Sequence, residues 1–148
     1  MAKATKEHRS RSAKRTEGVA LEGTVDRPKG APGMRHWVWD DVEREIMNPL
    51  LERQLIVGQD VMLARLLLRK GCIVPLHSHI NEQLSMIFSG ALKFWIDGKE
   101  VVVRGGEVLT IPPNMPHQAE ALEDTTGIDV FHPPRADWIN KTDSYLRK

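Results

Sequence analysis

Three histidines and a glutamine are the residues of this chain best suited to chemistry. His77 and His79 close the segment Gly71-Cys72-Ile73-Val74-Pro75-Leu76-His77-Ser78-His79, Gln83 follows, and His117 ends Ile111-Pro112-Pro113-Asn114-Met115-Pro116-His117. In an extended segment side chains two apart share a face, so His77 and His79 aim at a common point. Neutral imidazole is the commonest metal ligand, and the Gln83 carboxamide oxygen completes a mixed nitrogen and oxygen set around one divalent ion, with positions left for water or substrate. Nickel, zinc, manganese, iron and cobalt all accept such ligands. With no carboxylate among them the ion keeps its full charge, which suits a Lewis acid acting on an anionic substrate. The competing reading is a set of polar barrel-lining histidines bonded to one another. His132 beside Pro133-Pro134 and His36 beside Trp37 read as structural or surface residues, and His8 belongs to a polar tail.

A second group lies in Asp129-Val130-Phe131-His132-Pro133-Pro134-Arg135. Asp129 and Phe131 share one strand face by the same alternation. If that face is inward, a carboxylate and an aromatic wall stand near the ion, with Arg135 closing the rim as a fork for a substrate carboxylate. The plainer alternatives are an interstrand acceptor or an Asp129–Arg135 surface pair, and a Phe131 that is ordinary core.

The elements that must position these groups read as almost all β. Trp37 to Val42 reads as an entry strand, and Glu43 to Leu51 as a loop or short helical turn interrupted at Pro49. Leu55 to Val57 and Val61 to Arg69 are the next strands. In the second, Met62, Ala64, Leu66 and Leu68 make one face wholly apolar, while Arg65 lies on the mixed face and can reach a cavity. Strands at Leu84 to Ser89 and Ala91 to Ile96 turn at Gly90. Asp97-Gly98 is a two-residue hairpin signal leading into Glu100 to Arg104. Glu107 to Ile111, His117 to Leu122 and Thr126 to Phe131 complete the set, and Pro134 to Asn140 reads as a short helical turn with Trp138 and Ile139 packed back. Short strands with Gly and Pro corners imply a sandwich or a closed barrel.

The spacing resembles the two motifs of the cupin superfamily, Gly-x5-His-x-His-x3-Glu-x6-Gly and Gly-x5-Pro-x-Gly-x2-His. Here they read Gly71, His77, His79, Gln83, Gly90 and then Gly106, Pro112, Asn114, His117, with Gln83 in the glutamate's place and Asn114 in the glycine's. Asparagine tolerates a left-handed backbone, so the turn is expected to survive. The resemblance covers residues 58 to 132 and implies an all-β double-stranded β-helix, the cupin jelly-roll barrel. The segment Asp129 to Arg135, followed by Asp137-Trp138, is similar to one in cupins of pectin and alginate breakdown. That likeness implies an isomerase that opens cyclic 4,5-unsaturated uronates to linear keto forms, with His77, His79, Gln83 and His117 on the metal and Asp129, Phe131 and Arg135 in catalysis. The same barrel also hosts iron dioxygenases and non-catalytic small-acid sensors, so both stay as alternatives.

The chain of 148 residues fits one domain with a real core. Residues 1 to 30 carry eight Lys/Arg against four Asp/Glu and almost no large apolar residues, so 1–33 reads as a flexible basic extension and 34–148 as the barrel. Without interleaved aromatics the arm is not expected to bind nucleic acid. The arm lacks the apolar stretch of a secretory signal, no run approaches a membrane span, and the lone Cys72 suits a reducing compartment, so a soluble cytoplasmic protein is expected. Cys72, between Gly71 and Ile73, reads as a small core residue. Val61, Leu63 and Leu67 point away from the expected interior, which suggests a homodimer through that face or a covering loop from the first 60 residues.

Overall fold

The computed structural model describes residues 33–148. The basic arm therefore lies outside the described residues. Ten strands follow in chain order: β1 (Glu45–Asn48), β2 (Leu51–Val57), β3 (Met62–Leu68), β4 (Ile73–His77), β5 (Glu82–Ser89), β6 (Ala91–Ile96), β7 (Lys99–Arg104), β8 (Val108–Ile111), β9 (His117–Ala121) and β10 (Thr125–His132). One helical turn, α1 (Ala136–Ile139), and a 3₁₀ turn at Ser144–Leu146 close the chain. The strands form two antiparallel sheets, a six-stranded one ordered β1-β2-β3-β10-β5-β8 and a four-stranded one ordered β4-β9-β6-β7. Both sheets face one core, as a jelly-roll barrel requires.

Local sequence explains most of these elements. The apolar face of β3 is inward: Met62, Ala64 and Leu68 are buried, and Leu66 packs against them. Asp97 and Gly98 both take positive φ, 52° and 69°, which twists the β6–β7 hairpin to match its strands. Asn114 takes φ 63°, so the turn before His117 keeps the left-handed conformation. At Gly90, φ is +89° and an added Cβ would stand 2.4 Å from both the Asp124 carbonyl and Thr125 Oγ1. Only glycine fits that corner.

Three expectations are corrected. Trp37 to Val42 forms no ladder; Trp39–Asp41 is a 3₁₀ turn. The reason is Gln54 on β2, whose Nε2 donates to the carbonyls of Trp39 (2.7 Å) and Val42 (3.0 Å), so the segment is held by a side chain instead of a neighbouring strand. Glu43 to Leu51 contains strand β1, which pairs with β2 through Glu45–Arg53 and Ile46–Glu52, with Pro49 confined to the connecting turn. Arg65 does not reach the cavity. It is exposed, and its guanidinium lies 5.5 Å from the Trp39 ring.

Val61 is exposed, whereas Leu63 and Leu67 are half-buried. The more exposed apolar side chains of the large sheet are Ile46, Phe88 and Val108. Trp138 is buried and Ile139 packs against the core, as the sequence implied.

Candidate metal and substrate site

Strand register brings the four metal-ligand candidates together. In the small sheet His77 pairs with His117 across β4 and β9. In the large sheet Gln83 on β5 lies beside Phe131 on β10, and Ser85 lies beside Asp129. His79 sits just past β4, where its carbonyl accepts from the Asn114 amide at 2.7 Å, tying the two histidine segments together. One ligand nitrogen from each of His77, His79 and His117 lies within 4.8 Å of the others. His132 and His36 are exposed and stand outside this group.

Each imidazole is oriented by a backbone carbonyl. Nδ1 of His77 donates to Pro75 (2.7 Å), of His79 to Asn81 (3.0 Å) and of His117 to Met115 (2.8 Å). A carbonyl can only accept, so the proton sits on Nδ1 and each Nε2 keeps its lone pair. Burial, helped by the neighbouring imidazoles and Arg135, pulls the pKa of His77 and His79 down to about 4, and burial together with the Arg135 charge lowers that of His117. All three imidazoles are therefore neutral at pH 7.

Two contacts fit a cation. His117 Nε2 is buried with no hydrogen-bond partner. His79 Nε2 faces Gln83 Oε1 at 3.1 Å, and both atoms are acceptors once Nδ1 holds the ring proton. The amide orientation follows from its other end, where Gln83 Nε2 donates to Ser85 Oγ (2.9 Å) and Asp129 Oδ2 (3.3 Å). Orphaned lone pairs converging in one place are what a divalent ion would satisfy, so the donor set fits a metal.

Asp129, Phe131 and Arg135 line the same cavity, of about 50 Å³, with Gln83, His77 and His117. Burial raises the Asp129 carboxyl to about 6, against the opposing pull of the Ser85 hydroxyl and the Arg135 charge. Phe131 is fully buried and meets the His79 ring edge-on at 5.6 Å. Arg135 departs from the sequence picture of a rim residue. It is buried, stacked at 4.7 Å on Trp138 and 5.2 Å from the Phe131 ring, and one edge of its fork is already filled. Nε and Nη2 donate to Asp137 at 2.9 and 2.7 Å, which leaves Nη1 buried without a partner.

Sequence reasoning missed one neighbour, Tyr145. Its ring stacks on His77 at 5.0 Å, and its hydroxyl accepts from Arg135 Nη2 (2.8 Å) and Trp138 Nε1 (3.1 Å). No local pattern marks it, because the tail reaches the site through long-range contacts. The buried pair Arg53–Asp143, the Arg147–Asp143 and Arg147–Glu45 pairs, and an Asn48 side chain donating to the Leu146 carbonyl fasten the tail to β1 and β2. The other tryptophans stand apart: Trp95 Nε1 donates to Glu100 at 3.1 Å on the outer face. Cys72 is a buried free thiol whose pKa burial raises, which suits a core residue.

Residues 64–130 match the family model described as Cupin domain. The fold is the cupin jelly roll. The chain is 27% identical over 108 residues to the pectin degradation protein KdgF of Dickeya dadantii, an alignment covering 71% of this chain and 98% of that protein. Among solved structures it is similar to KdgF from a Halomonas species, with a TM-score of 0.66 and 24% identity over 70% of this chain and 99% of the other. It is also similar to an RmlC-like cupin from Shewanella frigidimarina, with a TM-score of 0.67 and 25% identity over 72% and 97%. At these identities the solved structures speak for the fold. None of the helices among the described residues is long and apolar enough to cross a membrane.

Proposed function

We propose that this cupin is a metal-dependent isomerase that converts cyclic 4,5-unsaturated uronates to linear keto forms. The observation carrying the proposal is the junction at Gln83, whose oxygen faces the histidine cluster while its amide nitrogen reaches Asp129. A Lewis-acid site and an acid/base carboxylate are thereby one side chain apart. The relative named for pectin degradation supports the substrate class.

His77, His79, Gln83 and His117 would hold one divalent transition ion, which when bound polarises a substrate oxygen. Arg135 receives the substrate carboxylate at its unpartnered Nη1, in a water-poor setting that strengthens the pairing. Phe131 and Trp138 pack beside the guanidinium and hold it in place. Asp129, largely ionised at pH 7 and held near 6, accepts the proton of the anomeric hydroxyl as the ring C1–O bond breaks to an aldehyde and an enolate. Protonated Asp129 then gives that proton to C4 as the enolate becomes a ketone. The atoms balance with no oxidant, and a carboxyl pKa near the working pH suits two-way proton transfer.

The exposed Phe88, Val108 and Val61 support a homodimer through the large sheet, checked by light scattering on the purified chain. The reduced, buried Cys72 supports a cytoplasmic setting.

The test is Asp129→Asn. Turnover of the unsaturated uronate should fall at least about a hundredfold while metal content stays at that of the unaltered protein, because general acid/base catalysis is worth ~10²–10⁴ in rate. Wild-type turnover in this variant removes Asp129 from the mechanism.

A further inference from the structure

The Arg135 guanidinium has a neighbour whose own hydrogen-bond capacity is incomplete. Tyr145 Oη accepts from two donors, Arg135 Nη2 and Trp138 Nε1, and among the described residues its hydroxyl proton has no acceptor. A phenol that already accepts twice can bring only its O–H to a third group. The guanidinium that Tyr145 contacts has unmet capacity of its own at Nη1, also a donor, on a residue only 1% exposed. Two unfilled donors on hydrogen-bonded neighbours, with the Tyr145 ring stacked on His77, call for an acceptor with two oxygens.

We propose that Tyr145 is a substrate-binding residue whose hydroxyl donates to one oxygen of the ligand carboxylate while Arg135 Nη1 donates to the other. With the Nε edge of Arg135 occupied by Asp137, the guanidinium alone offers the carboxylate one end, not a full fork. Tyr145 restores the second point of attachment. Its ring is fixed by stacking on His77, so the hydroxyl is set at a defined place relative to the metal ligands. The proposal takes the uronate as ligand from the reading above, but the claim itself concerns any small carboxylate bound at Arg135.

The competing role is purely structural: Tyr145 would hold Arg135 in place and never touch the ligand. Isothermal titration of D-galacturonate into the zinc-loaded full chain separates the two, using the unaltered protein, Tyr145→Phe, Arg135→Met and the double variant. Tyr145→Phe keeps the ring on His77 and deletes only the hydroxyl. The proposal expects Kd to rise about tenfold or more, as for loss of a hydrogen bond to a charged group, in both the Arg135 and the Met backgrounds. The methyl ester of galacturonate should bind the unaltered protein and Tyr145→Phe equally. An unchanged Kd, or a loss that disappears once Arg135 is gone, overturns the proposal, as does a failure of galacturonate to bind the unaltered protein.

Tyr145 is the one tyrosine of the chain, which supplies a check that needs no substitution. Protein labelled with 3-fluorotyrosine gives a single ¹⁹F resonance. Galacturonate should move it and the methyl ester should not, and a resonance indifferent to both contradicts the contact even if the Phe variant fails to fold. If the unaltered protein binds galacturonate through Tyr145 yet leaves the unsaturated uronate intact, the isomerase reading fails while the carboxylate site stands.

Discussion

Removing the Asp143 carboxylate tests what fastens the tail to the barrel. Arg53 and Asp143 are each about 1% exposed, and the guanidinium Nη1 donates to Asp143 Oδ2 in a short contact. Arg53 Nη2 also reaches Glu45 Oε2 at 3.0 Å, its plane lies 4.7 Å from the Trp138 ring, and Nε has no partner. Asp143→Ala therefore strands a buried cation with one carboxylate left. Breaking a buried pair costs ~3–5 kcal/mol, and the surviving Glu45 contact places this case at the low end, about 3 kcal/mol. For a folded domain of this size that lowers Tm by about 10–15 °C. Urea unfolding followed by tryptophan fluorescence gives the free energy directly, because Trp138 packs on Arg53. The m value should stay constant while the midpoint falls. Replacing both partners, Arg53→Met with Asp143→Leu, removes the stranded charge and should return stability to within about 2 kcal/mol of the unaltered chain. A cost for Asp143→Ala below about 1 kcal/mol refutes the reasoning, since the buried guanidinium would then not depend on its partner.

Two further outcomes concern the corner and the ligands. Gly90→Ala should destabilise the barrel by about 3 kcal/mol or more, from positive φ and collision with the Asp124 carbonyl, read as a fall in the urea midpoint; an unchanged midpoint contradicts the close approach. In the metal-free protein His77 and His79 titrate near 4, against about 6.5 in the unfolded chain, so their neutral burial adds no cost above pH 6.5 and costs progressively more as pH falls through 6.5 to 4. Asp129 runs the other way, since its raised pKa means stability recovered as pH falls from about 6 toward 4. The variant His77→Gln/His79→Gln should thus gain relative to the unaltered chain at pH 4.5 compared with pH 7, by on the order of 1 kcal/mol per half-buried histidine after screening. A difference in Tm that does not change with pH denies the shift.

The convergence of the histidines and Gln83 was legible because local rules govern it. Alternation and motif spacing put His77, His79 and Gln83 near one point, and Asn114 announced the left-handed turn that delivers His117. The hairpin at Asp97-Gly98 and the inward face of β3 were legible for the same reason. What stayed hidden depends on partners far away in sequence. Trp37 to Val42 has strand-like residues, yet Gln54 captures its carbonyls and the segment joins no sheet among the described residues. Arg135 looked free to face a substrate, but Asp137 two residues on takes one edge of its fork. Tyr145 arrives with a tail that is held by long-range contacts, among them the buried pair of Arg53 and Asp143, 90 residues apart.

The most direct test of the central claim is to incubate the metal-loaded protein with a 4,5-unsaturated monouronate and follow loss of the conjugated double-bond absorbance, with His117→Ala alongside. Rapid decay with the unaltered protein, abolished by chelation and absent in His117→Ala, is the expected result. Equal decay in both proteins, or none in either, would contradict a metal-dependent uronate isomerase.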